Sequence, residues 1–452
     1  MERIAAAFFL GLVSVNSYAY NSFHPAEGNS LPGNAIESTA VAPVYDNGPL
    51  ARNGYRGGIQ ASNNSTYIKC SDRIDSDPAN PAASWVWAVH PQQPDRYAIV
   101  RGYWRDSNAT ANMFYTSASA QELKAICEFT LKQAGIVGET LVPYAGDSPF
   151  PYYYPFWSQG GNLPAATLDG IRLDRLVVFG DSLSDTINAY NASYGALPKT
   201  SAWLHGRFSN GPLWHEYWAQ TLNIPSYTWA SGNMESGISS PFSGFTEQLN
   251  NFKNYLSYTQ QYDIKKTLFT VMFGVDDFIS NGKTPDEIVN NYRSGLNQLA
   301  QMGAAQVVIF RLPDLSDAPA LRSWRAANKK ALKEKTALFN AKLEALEQEL
   351  THSWTNTQFI VLSLDKAFND LLTHADKLGY VNTADSCLNL SDDGFSYLYH
   401  YQPRPACKSS GGSFIFWDNL HPSAHAHSDL SKMLYLELRL KLQQVAHRER
   451  QA

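Results

Sequence analysis

The stretch Leu176-Val177-Val178-Phe179-Gly180-Asp181-Ser182-Leu183-Ser184-Asp185-Thr186 decides the fold. Its apolar start reads as a buried strand that runs straight into a Gly-Asp-Ser turn. A serine at a strand-to-helix turn presents its hydroxyl at the carboxyl edge of a sheet, with its own backbone N–H at a helix N-terminus. That geometry suits a nucleophile whose intermediate becomes an oxyanion. Taken alone, the motif also fits simple helix capping, since Ser and Asp are ordinary caps.

Downstream, apolar runs at Leu268–Phe273, Val307–Phe310 and Phe359–Leu362 alternate with helical spacing, the pattern of a parallel sheet covered on both faces. Between the last two, Ser316–His352 reads as one long charged helix whose Arg and Lys residues are balanced by Glu334, Glu344, Glu347 and Glu349, as on a solvated face.

Upstream the pattern differs. Short aromatic and β-branched stretches from Tyr67 to Ser119, split by Pro, Asp and Asn clusters, predict a small β domain closed by a helix over Ala120–Gln133. The division expected is a signal peptide at 1–19, a flexible lead-in at 20–66, a β-rich domain at 67–142, a proline-rich linker at 143–170 and a catalytic domain at 171–452. The signal peptide rests on an apolar run at Ile4–Val15 followed by Ser17-Tyr18-Ala19, and it implies secretion; the alternative is a buried N-terminal strand or helix.

The 452 residues carry a net charge of −5, with 17% charged and 13% aromatic residues. So weak a basic content excludes a sequence-independent grip on nucleic acid. Cys70, Cys127, Cys387 and Cys407 match no zinc spacing. In an exported chain they suggest disulfides, and of three connectivities Cys70–Cys127 with Cys387–Cys407 keeps each bridge local; four buried thiols are the alternative.

Near the other end stands Asp418-Asn419-Leu420-His421-Pro422. A carboxylate three residues before a histidine can accept the Nδ1 proton, fix the tautomer and leave Nε2 free to take a proton from a serine. Alone, the pair is an ordinary surface turn, and with His425 and His427 nearby a metal cluster is a third reading; no second ligand set has suitable spacing, so no metal is expected.

Together these residues resemble the GDSL, or SGNH, esterases and lipases, and the resemblance implies an SGNH-hydrolase-like, flavodoxin-like three-layer α/β sandwich. It places the nucleophile at Ser182 and the histidine and its carboxylate at His421 and Asp418. The segments Gly206–Gly211 and Trp229-Ala230-Ser231-Gly232 look like the second conserved block, with Gly232 as an oxyanion-hole glycine. Tyr67-Ile68-Lys69-Cys70, Gly102-Tyr103-Trp104, Asn112–Thr116, Leu312-Pro313-Asp314 and Phe416-Trp417-Asp418 extend the likeness to the secreted thermolabile, or lecithin-dependent, haemolysin phospholipases.

Two positions depart from that pattern. The third block reads Gly274-Val275-Asp276-Asp277 where Gly-x-Asn-Asp is expected. An ionised Asp276 cannot donate to an oxyanion, and losing one such donor typically lowers turnover by about 100- to 1000-fold. A weakened enzyme, a protonated Asp276, and a hole formed by the Ser182 and Gly232 N–H groups alone all remain open. Ile187 stands where glycine usually precedes Asn188, narrowing an acyl site or packing on the core.

The resemblance implies a secreted, cofactor-free serine esterase acting on acyl glycerophospholipids at a membrane surface. Tyr152-Tyr153-Tyr154 fit a lipid interface or an aromatic core, and the Cys387–Cys407 loop is expected to border the acyl entrance. Competing readings are a catalytically impaired lipid-binding protein and an esterase or acyltransferase working on another ester.

Overall fold

A computed structural model describes residues 36–38, 64–73, 79–81, 83–105, 112–136, 142–146, 152–160, 163–232, 236, 244–280, 282–390, 402–410 and 412–449. The signal-peptide segment and most of the lead-in lie outside the described residues, as does 391–401 of the Cys387–Cys407 loop.

The upstream sheet comprises β1 (Ile36–Ser38), β2 (Ser65–Arg73), β3 (Ala83–Trp87), β4 (Val89–His90), β5 (Gln93–Arg101), β6 (Tyr103–Trp104), β7 (Phe114–Thr116), β8 (Tyr144–Gly146) and β9 (Tyr154–Ser158). Helix α1 (Ala120–Gln133) closes it, as predicted, and starts at a capping box in which Ser119 and Glu122 satisfy each other's backbone N–H groups. The Cys70–Cys127 bridge ties β2 to α1.

Two expected boundaries shift. The lead-in contributes β1, which pairs antiparallel with β5 through backbone bonds that need no apolar periodicity. The linker at 143–170 carries β8 and β9 inside the sheet: β8 pairs with β2, and β9 with β7 and β8. Among the described prolines there, Pro143 directly precedes β8 and Pro155 is the second residue of β9, near strand starts where a missing N–H is tolerated. Tyr152, Tyr153 and Tyr154 are all buried, so they belong to the aromatic core rather than to a lipid-facing surface.

After a hairpin of β10 (Ala166–Leu168) and β11 (Ile171–Leu173) comes the second sheet: β12 (Arg175–Gly180), β13 (Ser226–Thr228), β14 (Thr267–Met272), β15 (Gln306–Phe310) and β16 (Gln358–Leu362). All pairings are parallel and the spatial order is β13-β12-β14-β15-β16, the flavodoxin-like winding.

Strand residues alternate between two cores. Val177, Phe179, Phe269, Val271, Val307 and Ile309 face helices that include α4 (Phe245–Leu256), α6 (Pro285–Gln301) and α7 (Ala326–Ser353). Leu176, Val178, Leu268, Met272, Val308 and Phe310 face α3 (Trp214–Leu222), α8 (Leu364–Thr373) and α10 (Ala424–Glu449). The short helices α2 (Asn188–Ala192), α5 (Val275–Ile279) and α9 (Pro405–Ser409) lie in the connections. Strands β17 (Asn382–Ser386) and β18 (Phe414–Phe416) form a separate parallel pair.

Helix α7 starts ten residues later than the charge pattern suggested. Pro319 opens a 3-10 turn at Pro319–Leu321, and the Asp314 carboxylate takes the Ser316 N–H, so the chain reaches α7 through turns.

Candidate active site

In doubly wound sheets ligands bind outside the carboxyl ends of the strands where the winding reverses, here between β12 and β14. Ser182 lies two residues beyond β12. The strand end beneath it is fixed from both sides by Gln248, whose Oε1 accepts the Gly180 N–H at 3.0 Å and whose Nε2 donates to the Gly180 carbonyl at 2.8 Å. Position 180 admits only glycine, because a Cβ there would stand 2.8 Å from the Met272 carbonyl oxygen.

Ser182 and His421 are 239 residues apart in sequence and meet at 2.7 Å, Oγ to Nε2. The other ring nitrogen, Nδ1, lies 2.8 Å from both Oδ1 and Oδ2 of Asp418. All three residues are buried. The Asp418 carboxylate also accepts the Leu420 and His421 backbone N–H groups at 2.9 and 2.8 Å and the Trp203 indole N–H at 3.0 Å. Burial works to raise this carboxyl, yet His421 and these donors hold it below the ordinary carboxylate range. An ionised Asp418 keeps the proton on Nδ1 and leaves Nε2 as an acceptor toward the serine hydroxyl. Such a chain can draw the proton from Oγ and return it to a leaving group.

Trp203 escaped the sequence reading, since nothing local links it to position 418. It packs with Trp417, Cys387 and Cys407 in one buried cluster, so the second disulfide, present as expected, braces the wall behind Asp418.

The structure gives Gly232 a different place from the one the resemblance implied. Its N–H donates to Asp185 Oδ2 at 2.8 Å rather than standing free for an oxyanion. Asp185 also accepts N–H groups of Ile187 and Asn188 on Oδ1 and of Ala189 on Oδ2, at 2.7–2.9 Å. Burial pushes this carboxyl up to about 6, against the pull of those donors. The absence of a side chain at 232 serves packing, because a Cβ would stand 2.6 Å from the Phe208 ring, and that ring lies 5.0 Å from the His421 ring. Asn188 ties the same turn to β13 by donating to the Thr228 and Ala230 carbonyls at 3.1 and 2.7 Å. Ile187 is buried among Trp85, Trp87, Tyr153 and Tyr190, so it packs into the aromatic core of the upstream domain beside α2.

Asp276 lies in α5, just past Gly274, whose φ of +129° makes the sharp exit from β14. It is buried near Asp181, which follows β12. The neighbouring Asp277 accepts the backbone N–H and hydroxyl of Ser236 and pairs with Lys283 at 3.2 Å.

An apolar cleft of about 40 Å³ opens beside Ser182 and runs down between the sheet and α8 and α10, walled by Met272, Phe310, Phe368, Leu430 and Leu434. His427 lines it; its Nε2 is buried without a hydrogen-bond partner among the described residues, and burial pushes the ring down to about 3, so it is neutral. A larger cavity of about 220 Å³ lies between α1, β9 and α3 and reaches only the far side of the 186–188 turn, away from the serine. Among the described residues no group of three His, Cys, Asp or Glu side chains is placed to hold a metal.

Residues 176–434 match the family GDSL-like Lipase/Acylhydrolase, and residues 43–159 match the N-terminal domain of the Vibrio dual lipase/transferase. The chain is 30% identical over 365 residues to the thermolabile hemolysin of Vibrio parahaemolyticus, covering 80% of this chain and 85% of that one. It is 25% identical over 301 residues to the phosphatidylcholine-sterol acyltransferase of Aeromonas hydrophila, covering 57% and 88%, and 25% identical over 272 residues to the secreted effector protein SseJ of Salmonella typhimurium, covering 58% and 63%. A serine at the end of β12, paired across the chain with a histidine and its carboxylate, is thus found in a chain that belongs to the GDSL-like lipase/acylhydrolase family and is an esterase/lipase of that family.

Proposed function

We propose that this chain is a secreted serine hydrolase that cleaves acyl esters of glycerophospholipids. The observation that carries the reading is the unbroken line from Asp418 through His421 to the Ser182 hydroxyl, at 2.8 and 2.7 Å. In the first half-reaction His421 takes the Ser182 proton as Oγ attacks the ester carbonyl, and the tetrahedral oxyanion forms at the backbone N–H of Ser182, which lies in a turn after β12 rather than at the helix N-terminus expected from the sequence, since α2 begins only at Asn188. Collapse breaks the ester C–O bond, His421 gives its proton to the departing alcohol, and the acyl group stays on Ser182. Water, deprotonated by His421, then releases the acid.

The acyl group enters the apolar cleft beside Ser182, whose wall is almost wholly aliphatic and aromatic. The choice of a phospholipid is supported by the likeness to an acyltransferase named for phosphatidylcholine. The acyltransferase's name favours a second reading in which a sterol hydroxyl replaces water in deacylation.

The test is fatty acid release from phosphatidylcholine and lysophosphatidylcholine by the wild type and Ser182→Ala, with cholesterol present and absent. Release lost in Ser182→Ala supports the hydrolase, and a Ser182-dependent sterol ester supports transfer. Liposome binding without release, by folded protein, overturns both in favour of a lipid-binding protein.

A further inference from the structure

The connection from α2 to α3 contains no helix or strand, yet Trp203, Leu204, Arg207, Ser209 and Asn210 within it are all buried. Its own bonds stiffen it. The Leu204 N–H donates to the Ser209 carbonyl and the Arg207 N–H to the Leu204 carbonyl, both at 2.9 Å, while the Arg207 guanidinium grips Glu216 of α3 at 2.7 and 2.5 Å. Backbone buried in this way keeps one conformation, because each bond given up leaves a polar group unpaired away from water.

This connection clasps the loop that carries Asp418 and His421. The Trp203 indole N–H donates to Asp418 Oδ2 at 3.0 Å, and in return the Trp417 indole N–H donates to the Ala202 carbonyl at 2.9 Å. Further along, the Ser209 hydroxyl donates to the Pro422 carbonyl at 2.9 Å and the Ala424 N–H to Asn210 Oδ1 at 2.7 Å. Between these bonds the Phe208 ring lies 5.0 Å from the His421 ring.

One bond of the clasp ends on a group that the reaction uses. The Leu420 and His421 backbone N–H groups hold Oδ1 of Asp418 and the Trp203 indole holds Oδ2, so the plane of the carboxylate is fixed at both oxygens. Without the indole N–H the carboxylate can turn about its Cβ–Cγ bond, and a buried charged oxygen loses a charge-assisted donor. Trp203 does not line the cleft beside Ser182, so its bond acts on the base and not on the acyl chain.

We propose that Trp203 is a positioning residue, whose indole N–H fixes the plane of the Asp418 carboxylate and, through it, the tautomer and aim of the His421 ring toward Ser182. The inference rests on the Asp418–His421–Ser182 reading proposed above. The return bond from Trp417 keeps the Trp203 ring in place by holding its neighbour, Ala202.

The experiment measures kcat and KM on a soluble nitrophenyl ester for the wild type, Trp203→Phe, Asp418→Ala and the double variant, with urea unfolding to establish that each is folded. Trp203→Phe keeps an aromatic ring in the buried cluster and removes the N–H. Its kcat falls about 10- to 100-fold with KM unchanged, the signature of a contact that acts on the transition state and not on substrate binding. On the Asp418→Ala background the same change costs nothing further, because the group it acts through is gone. A packing defect lowers both backgrounds alike. Trp417→Phe, which cuts only the return bond, is the second variant, and its smaller loss of kcat also disappears with Asp418→Ala. A Trp203→Phe enzyme within about twofold of wild-type kcat, a change confined to KM, or a loss undiminished on Asp418→Ala overturns the proposal. Asp418→Ala as fast as the wild type signals instead that the underlying reading of the site has failed.

Discussion

Replacing Asp418 by asparagine probes the site more sharply than deleting the serine, because every group aimed at this carboxylate is a donor. Leu420 and His421 N–H groups reach Oδ1, the Trp203 indole N–H reaches Oδ2, and His421 Nδ1 lies 2.8 Å from both oxygens. An amide has one acceptor to offer. With its oxygen toward the two backbone N–H groups, which cannot change their protonation, its NH₂ faces Trp203 and His421. The imidazole can answer by moving its proton to Nε2, which then points an N–H at the Ser182 oxygen and has no lone pair to take its proton. In serine proteases the corresponding change lowers kcat about 10⁴-fold, or about 5.5 kcal/mol. The same size is expected here, since the geometry that fixes the tautomer is the same. The indole and amide donors left facing each other add about 1–3 kcal/mol of lost stability. The assays are kcat on a soluble nitrophenyl ester and urea unfolding. An asparagine variant that is folded and retains more than a tenth of wild-type kcat refutes the reasoning.

Two further outcomes follow from other contacts. Arg207 and Glu216 form a buried bidentate pair at 2.7 and 2.5 Å, so Glu216→Gln leaves an uncompensated guanidinium and lowers unfolding free energy by about 3–5 kcal/mol near neutrality. Burial opposes the ionised form of Glu216, but Arg207 holds its carboxyl below the usual range, so this contribution is full above about pH 4.3 and fades as the pH falls through the folded value. A wild-type-to-mutant difference in urea unfolding that stays constant on acidification contradicts this. In the acyl cleft, Leu430→Ala cuts back one wall and deepens the cleft, and the ratio of kcat/KM for octanoyl over acetyl esters should rise by about tenfold or more. An unchanged ratio in folded protein shows that the acyl chain lies elsewhere.

The parts legible in the sequence were those whose physics is local or periodic. Strands β12, β14, β15 and β16 are apolar on both faces and announced themselves as runs, whereas β13 has only Tyr227 buried among three residues and left no pattern. The Asp418–His421 spacing was readable because three residues of turn bring a carboxylate to its own histidine's Nδ1. Pairing that histidine with Ser182 needed the resemblance, since no local rule joins positions 239 residues apart. Trp203 and Gln248 were invisible for the same reason: each holds a catalytic element across long sequence separation with a residue type that has many ordinary uses. The tyrosines at 152–154 were ambiguous because an amphipathic ring suits a core and an interface equally well, and only tertiary packing decides.

Asp185 shows why the two departures from the family pattern have different weights. Its carboxylate gathers the N–H groups of Ile187, Asn188, Ala189 and Gly232, so the turn after the nucleophile and the turn after β13 share one anchor. Ile187 extends from that anchor into the aromatic cluster of Trp85, Trp87 and Tyr153, where a larger side chain gains apolar contact from the upstream domain. The change at 187 is thereby absorbed by packing on the side facing away from Ser182. Asp276 has no such outlet. It is buried in α5 near Asp181, at the carboxyl edge of the sheet where Ser182 stands, so the change at 276 lies on the reacting side of the sheet whereas the one at 187 is taken up by the upstream domain.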